Sequence, residues 1–240
     1  MQTKFNQIIN NHIISKEEND DIYILKNHIN NIYTEQIIEY AIFKKHHYLL
    51  YNILINHVNY VKIVLHNEIA LSYDVGREYK DTIIELMVND ILYTINHDYT
   101  YQKLNFILLN LYIILTYENV NIINYYTYFD EDDEIKEGIS VTMKLFCYFN
   151  EIRKRNLCDK EILQLCIDKL IERDKDNFLK ESTLVCKQAY NDVVEWIAKE
   201  FDHCKYWKYY NYDVINLIIK TSSDICSLMI LINDEYYIIK

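Results

Sequence analysis

The chain has 240 residues, half of them hydrophobic, so it can bury a substantial core as one domain or two small ones and is not a disordered protein. Its formal net charge of −11 argues against a nucleic-acid backbone as main partner. With no proline and two glycines among 24 tyrosines, it is short of the residues that hairpins and barrels use to turn, whereas Asn, Asp and Ser suffice to cap helices and Asn to end them. An all-α chain is the expectation.

In chain order, residues 1–35 read as a helix with a polar interruption from Ser15 to Asp21, where Ser15 or Asp20 caps the helical stretch after it. The opening residues lack the apolar core of a secretory signal. Ile37 to Ile42 predicts one helix, Lys44-Lys45-His46-His47 a corner, and Leu50, Ile53, Leu54 and Ile55 the next helix. Helical spacing returns in Val58 to Asn67 and in Thr82 to Asn89. Phe106 to Leu115 is apolar all round apart from Asn110; it is too short to span a bilayer and reads as a central buried helix. Asp130-Glu131-Asp132-Asp133-Glu134 cannot be packed, so 130–139 reads as an acidic loop between an N-terminal half, 1–129, and a C-terminal half, 140–240, unless the two form one continuous domain.

The second half restarts with Val141, Leu145, Phe146, Tyr148 and Phe149 on a helix closed by Arg153-Lys154-Arg155, charges that suit a helix C-terminus. Asp159 is expected to cap the next helix, whose stripe is Leu163, Cys166, Ile167, Leu170 and Ile171. Leu184 to Phe201 reads as two short helices in a tight pair. Small Cys186 and Ala189 precede a stripe of Tyr190, Val193, Val194, Ile197 and Phe201, with Asp192, Glu195 and Lys199 outward and Trp196 on the shoulder. His203 to Tyr212 is an aromatic cluster around Trp207. Val214 to Ile219 and Ile225 to Ile232 are apolar, and 235–240 is where a terminal strand is expected.

The order of Leu184 to Phe201 resembles half of an ankyrin repeat, with Ala189 where that family has glycine and Tyr190 where it has histidine. Residues 37–55 resemble it too: His47 matches the family's histidine and His46 replaces its glycine. The resemblance implies stacked, repeat-like antiparallel helix pairs and a non-catalytic protein–protein interaction module inside the cell. Residues with GC-rich codons are scarce together, the mark of an AT-rich genome. A large DNA virus fits, and with it a modulator of host factors acting in the host cytoplasm or nucleus. Gly76-Arg77 resembles the Gly-Arg pair of viral apoptosis-inhibitor bundles, which gives the alternative of a globular helical bundle that inhibits cell death or innate signalling.

The chemistry is sparse. His46, His47, His57 and His66 lie close in sequence but in no H-x-x-x-H spacing, so the corner histidines are expected to bond to backbone rather than to zinc. The six cysteines form no C-x-x-C pair and read as reduced core thiols. Gly76 and Gly138 are isolated and build no phosphate loop or nucleophile elbow. No catalytic, cofactor or metal residue is assigned. A nuclease or hydrolase built on scattered Glu and His stays open, its mark being a pocket where the two converge. The candidate partner-binding residues are Asp130, Glu131, Asp132, Asp133, Glu134, Tyr190 and Trp207, and the expected partner is a protein with a basic surface, not a nucleic acid or a membrane.

Overall fold

Helices dominate the computed structural model, which describes residues 2–11, 13–28, 34–56, 69–72, 78–81, 83–97, 99–117, 127–129, 135–137, 140–175, 178–179 and 187–221. The fold is all-α with two small hairpins added, and no helix among the described residues is long and apolar enough to cross a membrane. The chain divides into two compact units: Met1–Ile123 with Glu151–Arg173, and Asn124–Asn150 with Asp174–Lys240. The units meet in sequence at 123/124, 150/151 and 173/174, so a later piece of chain returns to the first unit.

In the first unit the order is α1 (Gln2–Asn11), α2 (Lys16–His28), α3 (Thr34–Phe43), α4 (His47–Asn56), β1 (Ile69–Ser72), β2 (Glu78–Asp81), α5 (Ile83–His97) and α6 (Tyr101–Thr116). α7 (Val141–Arg155) carries the chain back into it, and α8 (Lys160–Arg173) completes it. α6 is the hub, touching α1, α4, α5 and α8. Leu104, Phe106, Ile107, Leu108, Leu109, Leu111, Ile114 and Leu115 have no exposed surface, as a helix apolar on all sides must be once enclosed. The N-terminus of α8 is fixed to α6 where the Asp159 amide donates to Asn105 Oδ1 at 2.8 Å. Further along, the Cys166 thiol donates to the Leu108 carbonyl at 3.2 Å.

Helix ends obey the expected chemistry. The hydroxyl of Ser15 accepts from the Glu18 amide and that of Ser140 from Met143, while Asp159 Oδ1 accepts from Glu161. Arg153, Lys154 and Arg155 occupy the last turn of α7. Two helices end without glycine in the left-handed region, at Lys45 (φ 57°) and Asn156 (φ 53°). Both ends carry the paired bonds of a Schellman motif: His46 N–H to Ala41 O with Lys45 N–H to Ile42 O, and Leu157 N–H to Ile152 O with Asn156 N–H to Arg153 O. Asn tolerates that conformation; Lys45 adopts it at a cost of about 1 kcal/mol.

The second unit holds β3 (Thr127–Phe129), β4 (Ile135–Glu137), the start of α7, α9 (Lys187–Glu200), α10 (His203–Tyr206) with a 3₁₀ turn at Trp207–Tyr209, and α11 (Tyr212–Thr221). Its core is aromatic: Phe146 lies 4.8 Å from Phe178, 6.1 Å from Phe149 and 6.4 Å from Trp196, ring centre to ring centre. Trp196, 5% exposed, meets Phe201 edge-on at 5.0 Å.

Three sequence readings change. α9 runs unbroken through Ala189 and Tyr190, so there is no corner at that point; good helix formers such as Lys187, Gln188 and Ala189 carry the turn straight on. Two antiparallel hairpins are present, β1 with β2 and β3 with β4, where the sequence reading placed no element or, over 130–139, a loop. Their strands are three or four residues long, too short for a period-2 signal. The third change is at the corner histidines His46 and His47, whose rings lie beside the carboxylates of Asp21 and Asp90. The readings at 58–67, at Leu184 to Cys186, at Ile225 to Ile232 and at 235–240 lie outside the described residues, as do His57, His66, Gly76 and Gly138.

Candidate functional site

The α3–α4 corner is where polar chemistry collects. Ser15-x-x-Glu18 has the spacing of a capping box, in which the glutamate would fold back on its own helix. Here Glu18, only 3% exposed, instead reaches α4, where its carboxylate Oε1 accepts from the amides of Tyr48 at 2.7 Å and Leu49 at 3.1 Å. His46 sits in the N-cap position of α4, with its carbonyl accepting from Leu50 at 3.0 Å. Its side chain is not one of the short oxygen acceptors favoured there, and Glu18 supplies the missing acceptor from a neighbouring helix.

The two histidines of this corner are each set against an acid. His46 Nδ1 lies 3.0 Å from Asp21 Oδ2, and His47 Nδ1 lies 3.5 Å from Asp90 Oδ2, with both histidines buried. The His47 carbonyl also accepts from Asn110 Nδ2 at 2.9 Å, which explains the one polar residue of the Phe106–Leu115 stretch. Tyr40 stands edge-on to His46 at 6.0 Å, and loss of water around its hydroxyl, then the Asp21 carboxylate, push that hydroxyl above its ordinary range. A corner histidine that does bond to backbone is found elsewhere: His203 joins Tyr210 Oη at 2.9 Å and the Ala198 carbonyl at 3.0 Å.

Above this corner opens a cleft of about 480 Å³ lined by Ser15, Glu17, Lys44, Lys45, His46, Thr100 and Lys103 among others. Lys44 pairs with Glu17 at 3.1 Å, both exposed. The Lys45 ammonium rests on the Tyr93 ring, 2.8 Å from its centre, and Lys44 lies 5.8 Å from the centre of Tyr40. Tyr40 and Tyr93 are 37% and 46% exposed. Thr100 caps α6 by accepting the Lys103 amide at 3.2 Å, and the first turn of that helix holds no acid.

The residues singled out from sequence lie elsewhere. Asp130, Glu131, Asp132, Asp133 and Glu134 lie outside the described residues; the strands flanking them pair, Phe129 opposite Ile135. Tyr190 is 4% exposed, and its hydroxyl donates to Asp213 Oδ2 at 2.8 Å and accepts from Asn211 Nδ2 at 2.5 Å, so it joins α9 to the start of α11. Trp207 is half-buried in the 3₁₀ turn with Lys208 5.7 Å from its ring centre. No group of three or more His, Cys, Asp or Glu among the described residues is placed to hold a metal ion. Glu18, Asp21 and Asp90 were not singled out from sequence. The signals available were the Ser15–Glu18 spacing and an Asp90 lying between Met87, Val88 and Ile91 on a buried helix.

No family model, no curated protein and no solved structure matches this chain.

Proposed function

We propose that the chain is a non-catalytic protein-binding module and that its binding face is the α3–α4 corner with the cleft above it. The observation that carries the reading is the pair of exposed tyrosines, Tyr40 and Tyr93, each with its ring against a lysine, Lys44 or Lys45, that lines that cleft. Tyrosine supplies large contact area with few rotatable bonds, which is why it is enriched at the centres of interfaces. The acid and imidazole groups beneath serve the fold: Glu18 caps α4, and Asp21 and Asp90 face the two histidines.

The test is a Tyr40→Ser/Tyr93→Ser variant, compared with Tyr212→Ser at an exposed position in the second unit. A partner co-purified with the wild-type chain is expected to bind the double variant at least about thirtyfold more weakly, and Tyr212→Ser unchanged. Equal binding by all three places the interface elsewhere.

The enzyme reading keeps one observation. His46 lines the cleft with its Nδ1 3.0 Å from Asp21 Oδ2, an imidazole beside a carboxylate but without hydrogen-bond alignment between the two atoms. Turnover of a nuclease or hydrolase substrate that disappears in His46→Gln, in a variant that keeps its helical content, is the result that would favour it.

A further inference from the structure

We infer that the cleft is an oxyanion site, and that the binding partner seats an acidic segment in it. The chain carries 36 acidic against 25 basic residues. Among the described residues lining it, the cleft gathers Lys44, Lys45 and Lys103 beside Glu17 and Glu18. Of the two carboxylates, Glu18 is turned inward onto the amides of Tyr48 and Leu49. Glu17 is held only by an exposed pair with Lys44, the kind of contact that contributes little and exchanges readily. An incoming carboxylate therefore takes the place of Glu17 on Lys44.

Two hydroxyls complete the donor set. Ser15 Oγ accepts the Glu18 amide and Thr100 Oγ1 accepts the Lys103 amide, and both residues line the cleft, where a hydroxyl that accepts one bond can still donate another. Lysine ammoniums act as point charges and serve carboxylate or phosphate alike. The choice of a protein segment rests on the proposed binding function: the exposed rings of Tyr40 and Tyr93 lie against Lys44 and Lys45 of the cleft and add contact area for residues flanking the acids, which a free anion would not use.

The experiment is NMR titration of the full chain at constant ionic strength with two probes, inorganic phosphate and a peptide of four glutamates flanked by leucines. Saturable shifts are expected at the amides of Thr100, Gln102 and Lys103, with the peptide about tenfold tighter than phosphate. Lys103→Ala is expected to weaken the peptide about fivefold, and Glu17→Gln to tighten it about threefold by releasing Lys44. Shifts that do not saturate, or that persist in a Lys44→Ala/Lys45→Ala/Lys103→Ala variant with unchanged circular dichroism, overturn the site. Phosphate that saturates with the peptide no tighter overturns the acidic segment and leaves the oxyanion site standing. Failure of both probes removes the site alone, since the protein-binding reading is decided separately by the tyrosine variants.

Discussion

Removing the Glu18 carboxylate should destabilise the first unit far more than its position in the first turn of a surface helix suggests. Glu18→Ala leaves the Tyr48 and Leu49 amides without their acceptor at a site where the carboxylate was 3% exposed. A hydrogen bond to a charged group contributes about 1.5–3 kcal/mol, and loss of an N-cap costs about 0.5–2 kcal/mol. The two describe the same contact, and the 3.1 Å bond is the weaker of the pair, so about 3 kcal/mol is expected in total. Glu18→Gln keeps one oxygen to accept and should cost about 1 kcal/mol. At a urea slope of about 2.5 kcal/mol per M, the alanine variant moves the midpoint down by about 1 M. The neighbouring Glu17→Ala, which breaks only the exposed pair with Lys44, should stay within about 0.5 kcal/mol. Urea unfolding monitored by far-UV circular dichroism measures the size, and hydrogen exchange at the Tyr48 and Leu49 amides locates it. Equal midpoints for the two alanine variants, with both amides still protected, would refute the cross-helix cap.

Trp196→Ala should cost about 3 kcal/mol, because the ring is buried against Phe146 and Phe201; a thermal shift no larger than that of an exposed substitution would show the helix face to be misassigned. Asn156→Ala should destabilise by about 1 kcal/mol while Asn156→Gly is neutral or stabilising, since φ there is 53°; calorimetry of both variants checks the order. Burial pushes the Cys158 thiol from 9.0 up to about 12, which favours the protonated form in the folded chain. Stability from that group is complete below the ordinary thiol range and is lost as pH rises through it toward 12. At pH 8, site-resolved alkylation should label half-exposed Cys147 well before buried Cys158 and Cys166, and simultaneous labelling would contradict the burial.

Features that depend on one helix at a time were legible in the sequence. The stripe of α8, the burial of most of Phe106 to Leu115, the capping by Ser15 and Asp159 and the α3–α4 corner all come from spacing within a few turns. The candidate site was legible only in part, because its contacts join residues far apart in the chain. Lys44, Lys45, His46 and His47 announced a corner, but nothing local says that Glu18 caps α4 or that Asp90 meets His47. Tyr190 shows the same limit from the other side. Its place on the apolar stripe was visible, while the Asp213 and Asn211 that engage its hydroxyl lie beyond its own helix. The hairpins escaped because strands of three or four residues carry no usable period, and their pairing is set by each other.

The binding face is tested most directly by a photo-crosslinking amino acid placed at Tyr93, with the same residue at Tyr212 as control, in cells that make the protein naturally. Both side chains are exposed, so both substitutions should leave the fold intact. One discrete cross-linked protein is expected from position 93, lost when Lys44, Lys45 and Lys103 are changed to Ala, and none from position 212. The same adduct from both positions, or one at 93 indifferent to the three lysines, would contradict that binding face.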